Sequence, residues 1–590
     1  MGHFLYFYRI YTKYLSGGVW WLMAVTIFVA FADGVGISML LPLLQSLDMN
    51  EQVSQDNLLM KFTETLGVSK SLSGILSLMF VIFFCKAMLK FGAGYFRSDM
   101  FKNLYRYLKL QFYDGVLNVD YQYFTKKNTG HFITVMEGHV NRTVRSFDLF
   151  VNLVTAGVMA ISYLIIAGLI SWEVSAMAVV LGGIVFLVLS LVNRIVRNLS
   201  QSISTEEKHM NQIAVQALHA FKYIVSTSSF MPIKKQYEDS IRRLTQMQFK
   251  TKLAGAFTAS IQELMAVSLL IAMIIIEVVV LGYPIAAVFV VLLLFYRGVN
   301  QIMAVQTNWQ ELVSLQGYVE SVDEEFSALN QFKVKDGSQQ LVGSLNAHHI
   351  EFDGVSFKYA DSENDVINEL SIKIQPNTTV AIVGASGSGK TTLVDLLTGL
   401  LVAKSGDIII GDKLFLRDTK LSDWRSRIGY VAQDLTIFDD TVANNISLFE
   451  NLANENAIYE AARMASAHIF IKELPDGYQT RIGDKGVRLS GGQKQRLFIA
   501  RELYKQPELL ILDEATSALD SESERYIQDS IDKLKGKITV ILIAHRLSTI
   551  RNADVIYVLD QGTVVEVGDY EYLLSNQDSR FARMVSLQSF

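Results

Sequence analysis

Residues 379–400 read TVAIVGASGSGKTTLVDLLTGL. An apolar β-type run, a glycine-rich loop and a helical pattern follow one another without a break. This is the setting that a Walker A phosphate loop requires. Gly384, Ala385, Ser386, Gly387, Ser388 and Gly389 let backbone N–H groups close around phosphate oxygens. The helix that opens at Lys390, Thr391 and Thr392 adds a dipole favourable to negative charge. Lys390 is expected to reach the β- and γ-phosphates of ATP, and the Thr391 hydroxyl to hold Mg²⁺.

A second run, LLILDEA, ends in Asp513 and Glu514. A buried strand that delivers two carboxylates to its carboxyl end is a Walker B arrangement. Asp513 suits the coordination shell of Mg²⁺, and Glu514 suits a general base on the attacking water.

Between these motifs lies LSGGQ, residues Leu489, Ser490, Gly491, Gly492 and Gln493. With that run the chain resembles an ABC transporter of the exporter type (type IV), a half-transporter with one membrane and one nucleotide-binding domain. The resemblance covers nearly the whole chain. It implies that Tyr359 is the aromatic platform for adenine and that Gln433, in YVAQD, contacts Mg²⁺ or water and reports occupancy. It implies that Asp520, in SALD, forms the D-loop and that His545, in IAHRLST, contacts the γ-phosphate. Ser490 and Gly492 would serve the ATP of the opposite subunit, so a homodimer is implied. RIGDKG resembles the exporter X-loop, with Asp484 where Glu is commoner. YQYFTKKNTGHFI, around Phe124 and Thr129, and ALHAFKYIVS, around Phe221 and Lys222, resemble the two coupling helices.

The elements that position these residues divide the chain. Half of its 590 residues are hydrophobic, only six are proline, and mean hydropathy is +0.27. That balance suits a membrane protein. A net charge of −5 gives no hint of nucleic-acid binding. The single cysteine, Cys85, excludes an internal disulfide and is expected to pack in a membrane helix. Six apolar segments are long enough to cross a bilayer: Val19 to Leu44, Leu72 to Phe96, Leu149 to Trp172, Val174 to Val192, Phe257 to Leu281 and Ile285 to Val305. The second and fourth connections are long and basic, and the others are short or acidic. Both termini and the ATPase domain are therefore expected in the cytoplasm, beneath an inner (plasma) membrane. The N-terminus lacks the small-residue cleavage site of a signal peptide, and no peptidase-like stretch precedes the first span. NLLMKFTETLGV, in the first outer loop, predicts a short amphipathic helix with Leu58, Leu59, Phe62 and Leu66 on one face. The expected fold is an all-α six-helix membrane domain (1–320), a polar linker (321–347) and an α/β P-loop ATPase domain (348–590), paired as a domain-swapped homodimer.

Charge inside the spans remains to be explained. FVIFFCKAMLKFGAG, residues 80–94, carries Lys86 and Lys90 on one helical face. A charge at mid-membrane costs roughly 2.5–3.5 kcal/mol. At about 1.5 Å per residue, Lys86 lies roughly 21 Å, Lys90 about 27 Å and Arg297 roughly 18 Å below the outer ends of their helices. Glu263, about 27 Å deep, could pair with Lys90. For Lys86 and Arg297 the sequence suggests no obvious acidic mate at their depth. Two copies would line an inward chamber with positive charge, suited to a phosphate or pyrophosphate head group.

FADGVGISMLLPLL, CKAMLK, FYR and VDYQYFTKKN resemble the bacterial flippases of undecaprenyl-pyrophosphate-linked oligosaccharides. Those flippases commonly carry a further basic position, which falls here at Ala259 or a neighbour. ATP-driven flipping of an anionic lipid-linked oligosaccharide is the function this implies. An exporter of lipid A, lipopeptide or hydrophobic drugs is the alternative. An ATP-gated channel or regulator is a third, and the intact Glu514 argues against it. Glu514→Gln is expected to leave ATP binding intact and to lower turnover by about 10²–10⁴-fold, the worth of a general base. A phosphate-release assay on purified protein checks this, and near-normal turnover would refute the base assignment.

Overall fold

The computed structural model describes residues 6–11, a few positions between 21 and 39, and 72–588 apart from short gaps at 171, 281–284, 361, 451–452, 484–485, 514–520, 544–549 and 577–578. The outer-loop helix expected at 57–68 and most of the first span lie outside the described residues. The chain forms two compact units, 1–119 with 124–333 and 120–123 with 334–590.

The first unit is helical. Its described helices are α1 (Leu72–Leu117), α2 (Tyr121–Lys126), α3 (Thr129–Ile133), α4 (Val140–Ile170), α5 (Trp172–His219), α6 (Phe221–Ser226), α7 (Phe230–Ile274), α8 (Ile285–Ser314) and α9 (Gln316–Gln331). A π-helical turn, Thr134–His139, joins α3 to α4. Three described helical stretches, Ser73–Leu117, Thr129–Ile166 and Phe230–Ile274, are long and apolar enough to cross a membrane. The 46 residues of α1 span about 70 Å, over twice a hydrocarbon core of ~30 Å. Its basic second half therefore extends beyond the bilayer, as the long basic connections anticipate.

The polar stretch that begins at 321 is helical as far as Gln331. Tyr318, Val319, Val322, Phe326 and Leu329 recur every three or four residues and are buried. This α9 is held by specific contacts. The Gly317 N–H and Ser314 carbonyl both bond the Ser200 hydroxyl, at 3.1 and 2.6 Å. His131 Nε2 meets Glu325 at 2.7 Å, and His139 Nδ1 meets the Ser321 hydroxyl at 2.9 Å. A Cβ on Gly317 would stand 2.7 Å from the Ser200 carbonyl oxygen and 2.8 Å from Gln201 Cα. Both are backbone atoms that cannot swing away.

The described residues of the second unit form two sheets. An antiparallel sheet runs β2-β1-β4-β5, from β1 (Ile350–Phe357), β2 (Ile367–Ile374), β4 (Ser405–Ile410) and β5 (Leu414–Phe415). The larger sheet runs β10-β9-β3-β8-β7-β6, from β3 (Thr379–Gly384), β6 (Ile428–Val431), β7 (Leu509–Asp513), β8 (Thr539–Ile543), β9 (Val555–Asp560) and β10 (Thr563–Gly568). Its pairs are parallel except β9–β10. Every residue of β3, β7 and β8 is buried, which is why these strands read as unbroken apolar runs.

Gly317→Ala is expected to force α9 off α5 and to cost roughly 1–3 kcal/mol, the usual price of overpacking a tight contact. Thermal unfolding in detergent measures this, and an unchanged midpoint would show that the contact yields freely.

Candidate functional site

Parallel register builds the site. Ile382 of β3 and Asp513 of β7 both pair with Ile543 of β8. The strand that feeds the phosphate loop and the strand that ends in Asp513 therefore finish at one edge, where α/β sheets bind ligands. The loop bends back through Gly387 and Gly389, at φ +81° and +100°. A side chain at Gly389 would also meet Ile367 Cδ1 at 2.6 Å. Gly389 is the N-cap of α10 (Lys390–Leu397), and no side chain caps that helix. Its first-turn N–H groups are the anion-binding kind.

Lys390 is buried, and its Nζ donates to the carbonyls of Gly384 and Ala385 at 2.9 Å each. Thr391 is exposed and Thr392 buried. The Tyr359 hydroxyl lies 3.1 Å from Thr392 Oγ1, and its ring meets Phe357 edge-on at 4.9 Å. The expected adenine platform thus stands beside the phosphate loop. Gln433 is exposed just past β6. The donor set — glycine cradle, open helix terminus, lysine and a buried carboxylate — fits a triphosphate and a hard cation such as Mg²⁺.

Two later helices of this unit are α11 (Val442–Ser447) and α12 (Gly491–Tyr504), and Ser490 caps the second. Gln493 N–H donates to Ser490 Oγ at 3.3 Å, and Ser490 N–H donates to Gln493 Oε1 at 2.9 Å. This capping box leaves Ser490 and Gly491 exposed, while Leu489 and Gly492 are buried. Glu514, Asp520, His545 and Asp484 lie outside the described residues.

Two residues near the site, Asp395 and Tyr430, carry no motif of their own. Asp395 on α10 is buried beside Asp513, and its carboxyl is pushed up to about 6, first by burial and then by the Asp513 charge. The Tyr430 hydroxyl reaches Asp513 Oδ2 at 3.4 Å, and burial with the two carboxylates raises its phenol. Residues 120–123 belong to this unit. The Ala360 N–H, next to Tyr359, donates to Gln122 Oε1 at 3.2 Å. The Tyr121 phenol is raised by burial and then by Asp395 and Tyr359. The start of the YQYFTKKNTGHFI run therefore lies beside the Tyr359–Ala360 stretch, and Phe124 stacks on Phe132 within the helical unit.

Within the membrane unit, α1 and α8 bring cations together. Lys86 Nζ sits 5.3 Å from the Phe83 ring centroid, and both Arg297 and Lys90 are close enough for their charges to act on it. Lys86 and Arg297 are half-buried and Lys90 is exposed. The anticipated Lys90–Glu263 pair is not formed among the described ion pairs; both side chains are exposed.

Fold and site together define a membrane exporter driven by a fused ATPase. Residues 20–312 match the ABC transporter transmembrane region, and 367–517 match the ABC transporter ATPase family. The heterocyst differentiation ATP-binding protein HepA of Nostoc sp. is 33% identical over 83% of this chain and 80% of its own. An ATP-dependent lipid A-core flippase of Coxiella burnetii is 32% identical over 84% of each chain. A bacterial Atm1-family ABC exporter solved with ATP bound superposes with TM-score 0.81 over 96% of this chain and 99% of that one. At 22% identity, that likeness concerns the fold. The chain belongs to the ABC transporter family, as an ATP-hydrolysing half-transporter of the exporter type.

Burial of Asp395 gives a pH signature. Its folded pKa lies above the ordinary carboxylate value, so the folded state holds the proton more tightly. The stability linked to it is full below about pH 4 and is lost as pH rises through about 6, on the order of 3 kcal/mol in all. Asp395→Asn in nucleotide-free, metal-free protein is expected to melt higher than wild type at pH 7.5, with the gap closing towards pH 4.5. A gap that does not change with pH would contradict this.

Proposed function

We propose that this exporter moves an anionic, lipid-linked oligosaccharide carrying a pyrophosphate across the inner membrane, from the cytoplasmic leaflet outward. The observation that carries the reading is the Lys86, Lys90 and Arg297 cluster on α1 and α8. Two helices each carry charge into an apolar unit, and the charges repel. Such a grouping of like charge suits an anionic ligand. Two copies would double the cluster, and a pyrophosphate would accept charge-assisted hydrogen bonds from several of these groups.

The working unit is a homodimer with both ATPase domains in the cytoplasm. Each chain has one phosphate loop and one signature helix. Ser490, exposed at the tip of α12, would face the nucleotide of the other copy. The second copy's α6, with exposed Phe221, Tyr223 and Val225, would cover the exposed Phe438, Leu448 and Phe449. Lys390, the loop amides and Thr392 would hold the phosphates, with Tyr359 beside the base. Thr391, Gln433 and Asp513 would hold Mg²⁺, which neutralises the phosphate charge. Glu514 would take the proton of the attacking water, and His545 would position that water. The Gln122–Ala360 bond ties the start of the first coupling segment to the nucleotide loop.

A second reading has its own support. Several relatives carry the name lipid A-core flippase, and a lipid A-type glycolipid would use the same cations. Lys86→Ala and Arg297→Ala are each expected to abolish substrate-stimulated hydrolysis in proteoliposomes while basal ATPase stays within a few-fold. The test compares polyprenyl-pyrophosphate glycans, lipid A and hydrophobic drugs as stimulants. Normal stimulation of both variants by every compound would remove the physical basis of the anionic-lipid reading.

A further inference from the structure

Arg501 is a buried cation, 3% exposed, in the last turn of α12. Its fork is spent on one short segment. Nε donates to the Asn445 carbonyl at 2.7 Å, Nη1 to the Thr436 carbonyl at 2.7 Å, and Nη2 to Asn445 Oδ1 at 2.8 Å. The guanidinium also lies over the rings of Phe498, at 4.7 Å, and Phe438, at 5.4 Å.

Asn445 is fully buried and completes the knot. Its Oδ1 accepts the Phe438 N–H at 3.0 Å. Its Nδ2 donates to the carbonyls of Phe438 and Thr441, at 3.0 Å each. Each polar atom of the amide is thereby satisfied within one loop and one arginine. Such a network is rigid, because any displacement strands a buried donor or acceptor.

The knot joins two features. On one side is α12, whose opposite end is the Ser490 cap of LSGGQ. On the other is residues 435–449, which follow Gln433 and expose Phe438, Leu448 and Phe449, with Phe438 and Phe449 edge-to-face at 5.4 Å. Leu448 and Phe449 sit at positive φ, +51° and +64°. That backbone is uncommon for such residues and is held only by its surroundings. The Val442–Ser447 helix between them also packs on α12.

We infer that Arg501 and Asn445 are positioning residues that make the exposed patch and the signature motif move as one piece. The patch cannot shift without carrying the carbonyls of Thr436 and Asn445, and these cannot shift without carrying Arg501 and its helix. A force applied at Phe438, Leu448 or Phe449 is thereby delivered to Ser490. ATP bound against Ser490 in turn fixes the patch. The inference rests on the proposed reading in which Ser490 meets the partner's nucleotide.

The test is amide hydrogen exchange on the full-length dimer in nanodiscs, with and without Mg·ATP plus vanadate. In wild type, residues 435–449 and 489–493 are both expected to gain protection on trapping. Arg501→Lys keeps the charge but removes the three-pronged fork. It should retain the nucleotide-dependent protection at 489–493 and lose it at 435–449. Asn445→Ala should do the same from the other side of the knot. A purely structural role would speed exchange in both segments and both states alike, and would leave the nucleotide-dependent difference intact in both; that result overturns the inference. A wild-type protein that responds only at 489–493 overturns it as well. A wild-type protein that responds at neither segment refutes the two-copy ATP site, and the inference with it.

Discussion

The ATP chemistry of this chain depends on register in one parallel sheet. Strands β3, β8 and β7 share a level at Ile382, Ile543 and Asp513. A shift of one residue would move every side chain to the opposite face of the sheet and carry Asp513 away from the loop that follows Gly384. All three strands are buried on both faces, so the register rests on side chains that fit the packing above and below the sheet rather than on an apolar–polar alternation. Lys390, Thr392, Tyr359 and Tyr430 take their places around that edge. The same closeness makes Asp395 an uneasy neighbour for Asp513: two buried carboxylates share a site that a divalent cation would neutralise.

In the membrane unit, α9 is the last helix in chain order, and it is bound to α5 and to the α3–α4 stretch by polar contacts as well as apolar packing. Arg142 pairs with Glu207 and lies 4.2 Å from the Tyr318 ring centroid. Together with the His131–Glu325 and His139–Ser321 contacts, this makes the extended helices one body around α9. Long stiff helices suit a coupled machine, because a packed helix transmits displacement with little loss.

Much of this was legible in the sequence, for a physical reason. The phosphate loop and the Asp513 strand are contiguous runs whose chemistry is written in order. The membrane helices are long enough for composition to reveal them. Depth arithmetic sets Lys86, Lys90 and Arg297 in the same half of the membrane, since rise per residue is constant. The sequence was silent where function is assembled from distant parts. Asp395 and Tyr430 join the site only through strand register, and Arg501 looks like any helix-terminal arginine until its carbonyl partners are seen. The α9 helix was obscured by its polar face, although its apolar spacing was present from Tyr318 to Leu329. Depth alone sets Glu263 level with Lys90, but equal depth does not make two helices present their charges to each other.

The central claim is that the membrane unit uses its cations to take hold of an anionic lipid, which the ATPase then moves. The direct measurement is ATP-dependent transbilayer movement of fluorescent lipids in proteoliposomes, with a polyprenyl-pyrophosphate glycan set against a neutral lipid of the same tail. The account predicts ATP-dependent movement of the pyrophosphate lipid, lost in Lys86→Ala and Arg297→Ala, and none of the neutral one. Equal movement of both lipids, unchanged in the alanine variants, would contradict it.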